Sequence, residues 1–67
     1  MDQRVLGALA ERAAHLADKG DAAALSTLVK KAAAQTGYAP WTVVSLISAE
    51  WDRLGIRRVP RDVILHA

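Results

Sequence analysis

The sequence predicts a small all-α bundle of three helices, with room for a short fourth helix near the C-terminal end. Three observations carry that prediction. Apolar residues recur at helical spacing in three successive segments. Each segment is closed by a glycine (Gly20, Gly37, Gly55) and opened by a capping or first-turn residue (Asp2, Asp21, Pro40). Alanine is the commonest residue, phenylalanine is absent, and β-branched residues are sparse before Val43, a bias that favours helix over strand.

The first helix is expected over about 2–19, capped by Asp2 and stopped at Gly20. Val5, Leu6, Leu9, Ala13 and Leu16 form its apolar stripe. Gly7 inside it costs roughly 1 kcal/mol relative to alanine, which suggests that another helix approaches closely there. Asp21 caps a second helix over 21–36, with Leu25, Leu28, Val29, Ala32 and Ala33 on its apolar face. Lys30 and Lys31 fall in its second half, where the helix dipole favours cations.

Pro40 opens a third helix over 40–54, ended by Gly55. Val43, Val44, Leu46, Ile47, Trp51 and Leu54 span a broad apolar arc, so this helix is the expected centre of the core. Glu50 falls within the arc and is expected either to pair with a base from another helix or to lie at the arc's mouth. Thr42, Ser45, Ser48, Ala49, Asp52 and Arg53 face the other way, with Trp41 at the edge. After Gly55, Pro60 and Asp62 suit the first turn of a short helix over 60–66, while "VIL" also fits a docking strand.

The 67 residues make one domain at most. A chain this short buries only about 60% of the surface its unfolded form exposes. Such domains rely on a disulfide, a metal, a partner or unusually good packing. There is no cysteine, which excludes disulfides and agrees with a reducing cytoplasm, the expected location. Tight packing or association with another chain remains, and a homodimer or a larger partner is expected. The apolar run "VLGALA" is stopped by Glu11 and Arg12, too soon for the core of a signal peptide. "YAPWTVVSLISA" is far short of the ~20 apolar residues a membrane span needs.

The net charge of +2 is unevenly placed. Up to Val29, three bases face four acids, and from Lys30 to Asp52 the charges cancel. Beyond that, Arg53, Arg57, Arg58 and Arg61 face Asp62 alone. Such a basic end suits a polyanion, or simply a solvated tail.

No catalytic constellation can be assembled, so an enzyme is not expected. His15 shares a helix face with Glu11 and Lys19 and reads as solvated, while His66 is the penultimate residue. Neither has a partner at metal-ligand spacing. Asp18 and Asp21 flank a turn too short for a calcium loop. No glycine-rich phosphate loop is present, and no cofactor is expected.

One stretch, "AAQTGYAPWTVVSLI" from Ala33 to Ile47, meets the mechanical needs of a helix-turn-helix. Such a unit wants a small residue where the second helix crosses the first, a glycine in the turn, and two branched residues facing back. Ala33, Gly37, Val43 and Leu46 stand at those places. Over about twenty residues the segment resembles the helix-turn-helix of lactose-repressor-type transcription factors. Those read alanine, three residues, glycine, a short turn, then threonine-valine, here Thr42 and Val43. The resemblance departs in two places: a full helix precedes the unit, and Thr36 sits where a buried leucine or alanine is usual.

That resemblance implies base contacts from Ala39, Pro40, Trp41, Val44, Ser45 and Ser48. None of these is an arginine, lysine, asparagine or glutamine, the side chains that read base edges bidentately. Phosphate contacts are easier to supply, from Lys30, Lys31, Arg53, Arg57, Arg58 and Arg61. A second stretch, "RRVPRDVI", is similar to the C-terminal DNA-binding part of an actinobacterial nucleoid protein, without that protein's glycine between the arginines.

Two functions therefore stand as expectations. The first is a small helix-turn-helix DNA-binding protein, such as a phage or plasmid transcriptional regulator. Its DNA-facing residues would be Lys30, Lys31, Trp41, Thr42, Ser45, Ser48, Arg53, Arg57, Arg58 and Arg61. The alternative is a helical protein-interaction module, an inhibitor, antitoxin-like partner or adaptor, with its contact near Trp41. Trp51 is expected in the core. Trp41 is either a contact residue or a staple over the helix start.

Overall fold

The computed structural model describes residues 2–56. Met1 and residues 57–67 lie outside them, and with them the expected helix or strand over 60–66, Arg57, Arg58, Arg61 and His66. The described chain is three α-helices: α1 (Gln3–Asp18), α2 (Ala22–Thr36) and α3 (Pro40–Leu54). Each packs against the other two. Among the described residues no helix is long and apolar enough to cross a membrane.

The helix ends show why so short a chain turns so sharply. Asp2 caps α1, its carboxylate accepting from the Arg4 N–H at 2.9 Å. At the far end the Gly20 N–H donates to the Ala17 carbonyl, and the Asp21 N–H donates to that of Leu16. This paired closure satisfies two carbonyls that would otherwise lack partners. Asp21 then caps α2 with its side chain, accepting from the Ala24 N–H at 3.1 Å. One residue thus ends α1 through its backbone and begins α2 through its carboxylate. The end of α3 repeats the device, with Gly55 donating to Asp52 and Ile56 to Trp51. It carries Ile56 back against the core.

The buried core is Ala10, Ala13 and Ala17 from α1, Leu25, Val29, Ala32 and Ala33 from α2, and Val43, Ile47 and Trp51 from α3. The third helix supplies the bulk and the first supplies the space. Trp51 is fully buried, and its indole N–H donates to the Ala10 carbonyl at 2.7 Å. That bond answers the one polar atom of the indole, as burial requires.

This division of volume corrects the expected stripe of α1. Its inward line is Ala10, Ala13 and Ala17, with Leu9 and Leu16 half-buried at the side and Val5 exposed. A leucine in the central line would occupy the volume that the indole fills. Similar adjustments apply elsewhere. Leu28, Val44 and Leu46 are half-buried rather than central, and Leu54 is exposed where α3 ends.

Gly7 is also corrected. A Cβ placed there meets nothing within 4 Å, so no helix approaches closely, and its φ is not positive. The residue carries only the helix cost of glycine. Gly7→Ala is therefore expected to stabilise the domain by up to about 1 kcal/mol. In a thermal melt the gain should appear as a rise of several degrees in Tm. A lowered Tm would show that the position is crowded after all.

Candidate functional site

The connection between α2 and α3 is three residues long, Gly37–Tyr38–Ala39. Gly37 has φ 79°, in the left-handed region that other L-residues enter at a cost, and its N–H donates to the Ala33 carbonyl at 2.9 Å. Ala39 is extended, the conformation favoured before a proline. Pro40 then starts α3 with no side-chain cap.

Thr36, the residue that departs from the helix-turn-helix pattern, has a local role. Its hydroxyl donates to the Ala32 carbonyl at 2.8 Å and accepts a longer bond, 3.4 Å, from the Tyr38 N–H. A half-buried hydroxyl is thereby satisfied, and the turn gains a tie.

Beyond the turn α2 and α3 pack against each other. Ala33 on α2 and Val43 on α3 are both buried, and Leu46 is half-buried. The outward face of α3 begins at the turn. Trp41 is 73% exposed, which excludes the staple and leaves it a surface residue. Pro40, Ser45, Ala49 and Asp52 are exposed or partly so, and Ser48 is half-buried on the same side. Trp41, Ser45, Ser48 and Asp52 follow one another at helical spacing, so they form one strip. Thr42 is half-buried on the flank of α3 and contributes least to it.

Lys30 and Lys31 are both exposed on α2. The dipole explanation for them weakens, because neither stands in the last turn of the helix, where that effect is concentrated. Neither enters an ion pair among the described residues. Between Ala22 and Ala49 the chain has no carboxylate at all, so these two lysines are its only charges. Four acids (Asp2, Glu11, Asp18 and Asp21) precede Ala22, and three (Glu50, Asp52 and Asp62) follow Ala49.

Arg53 is engaged differently. Its guanidinium pairs with Glu50 one turn back on the same helix. Glu50 is 3% exposed, and it also accepts from the Gln3 amide of α1 at 2.7 Å. The expected base from another helix is thus a neutral amide, and the cation comes from α3 itself. Any phosphate drawn to Arg53 competes with a buried carboxylate. The same reasoning predicts opposite outcomes for two substitutions. Arg53→Ala leaves the carboxylate with one partner and should cost about 1–3 kcal/mol. Glu50→Met replaces it with an apolar side chain of similar length and should be neutral or stabilising. Urea midpoints measure both. An unmoved midpoint for Arg53→Ala would reduce the pair to a surface contact of little energetic consequence.

Two further residues are displayed at the turn without having been singled out by their sequence pattern. Tyr38 is 39% exposed, beside the start of α3. Gln35 is exposed in the last turn of α2. A turn aromatic and an amide just before a glycine are visible signals, overshadowed by the stronger periodicity of α3. The remaining candidates give no chemistry. His15 is exposed, and no group of three or more His, Cys, Asp or Glu among the described residues could hold a metal ion. No protein-family model matches the chain, and no similar protein is found among curated sequences or solved structures.

Proposed function

We propose that this chain is a small, non-enzymatic helix-turn-helix DNA-binding protein. Gly37 shapes its turn, and the Pro40–Ser48 segment enters the major groove. The observation that carries the reading is the outward face of α2 and α3. The outer side of the first two turns of α3 stands clear of the core, with Trp41 73% exposed. The 28 residues from 22 to 49 carry two exposed lysines and no acid. A duplex repels carboxylates and recruits ammonium groups, so the acid-free limb is the one that suits it. Lys30, Lys31 and the arginines that follow Gly55 hold phosphates in this reading, and the segment from the turn to Ser48 meets the bases. Arg53, committed to Glu50, has the smaller part.

The test is a titration of duplex DNA followed by tryptophan fluorescence at several salt concentrations. Binding through about four phosphates predicts a log–log slope of affinity against salt near −3.6. Arg57→Ala with Arg58→Ala should flatten it. No binding at low salt rejects the proposal.

One observation favours a second reading, a protein-interaction module. Trp41 and Tyr38 are exposed aromatics close together in sequence at the turn, the residue types that anchor protein interfaces. In that case Trp41→Ala weakens capture of a partner protein, and duplex DNA gives no signal at any salt.

A further inference from the structure

We infer that the face of α3 recognises the C5-methyl groups of thymine, and so prefers A·T-rich duplex over the same backbone without those methyls. This rests on the DNA-binding reading above and goes one step beyond it, from the class of partner to the feature that is read.

The argument is one of matching. The major groove offers hydrogen-bond acceptors, donors and a single apolar feature, the thymine methyl. Discrimination by hydrogen bonds needs a side chain with a fixed pattern of donors and acceptors, such as arginine, asparagine or glutamine. From Ala39 to Ala49, α3 and its N-cap hold none. Ser45 and Ser48 carry hydroxyls, which donate or accept as required and so tell bases apart poorly. The indole N–H of Trp41 is a lone donor that any purine N7 can accept.

What the face does offer is apolar surface next to those hydroxyls. Pro40 is exposed, Trp41 is 73% exposed, and Val44, packed in part against the core, lies half-buried on the flank one turn on. These can bury a methyl group and nothing else that varies between base pairs. The charge pattern agrees. From residue 22 to residue 49 the chain carries two exposed lysines and no acid, which suits a polyanion, and Asp52 bounds the strip at the far end. Gln35 lies on α2, off this face, and its amide would read adenine through N6 and N7 whether or not a methyl is present.

The experiment compares an A·T-rich duplex with its twin in which every thymine is replaced by uracil. Sequence, charge and hydrogen-bonding edges are then the same and only the C5-methyls are gone. Burial of one methyl changes affinity about four-fold, so two buried methyls should make the uracil duplex about fifteen-fold weaker. The salt slope should be the same for both, because the phosphates are untouched. Trp41→Ala should narrow the thymine–uracil difference while keeping the slope and the circular dichroism of the folded chain. Equal affinity for the two duplexes overturns the inference and leaves DNA binding intact. A thymine preference that Trp41→Ala leaves unchanged overturns its assignment to this face. If neither duplex binds, the DNA-binding reading fails and this inference with it.

Discussion

Trp51→Ala should remove a large share of the chain's stability, up to all of it. Trp51 is the largest fully buried side chain, set against the alanines of α1 and bonded to the Ala10 carbonyl. Truncating such a residue typically costs about 3–5 kcal/mol, because the forfeited burial and the cavity add. A domain of 67 residues has roughly 3–10 kcal/mol of total stability. The loss is therefore a large share of the whole, and near the lower end of that range it exceeds it. No disulfide is available to hold the remainder. Trp51→Phe is the informative control. It keeps most of the ring volume and removes the N–H donor, so it should cost about 1–2 kcal/mol and still fold. Far-UV circular dichroism with urea unfolding separates the two variants. A Trp51→Ala protein with an unchanged midpoint would mean that the core is organised around something else. The Phe variant has a second use, since Trp41 becomes its only tryptophan and reports the outward face alone.

Replacing Lys30 and Lys31 together by alanine should weaken binding strongly while leaving the fold intact. Each phosphate neutralised by a lysine contributes about 0.9 to the salt slope, so the double variant should drop from about −3.6 to about −1.8. Near 0.1 M salt this corresponds to about sixty-fold weaker binding for the pair. Stability should barely move, by ~0.5 kcal/mol or less. Both side chains are exposed, neither is ion-paired among the described residues, and alanine is the better helix former. The contrast between a large binding loss and a silent melt is what distinguishes a ligand role from a structural one. A double variant that binds DNA with the original slope would remove the lysines from the interface.

Much of this molecule is legible before its structure. The three helices follow from residues whose effects are local. Asp2 and Asp21 accept from the first-turn N–H groups, Pro40 lacks a donor the helix does not need, and Gly20, Gly37 and Gly55 take positive φ where others resist it. These forces act over a few bonds, so neighbours in sequence suffice to predict them. The inward orientation of Trp51 and the outward position of Ser45 follow from helical periodicity in the same way.

Other features depend on which groups meet across space. Periodicity ranks Leu9 above Ala10, yet Ala10 is the buried residue, because the indole of Trp51 arrives from a helix about forty residues later. Glu50 looks misplaced within an apolar arc until Gln3 and Arg53 close over it. Trp41 could lie over the helix start or point away, and only the assembled fold decides that it points away. Where helices start, stop and turn can be read along the chain, since those preferences are set by each residue's own backbone and its immediate neighbours. How volume is shared among the helices and which aromatic is left exposed emerge only on folding, since those outcomes depend on the shape of side chains brought together from distant parts of the chain.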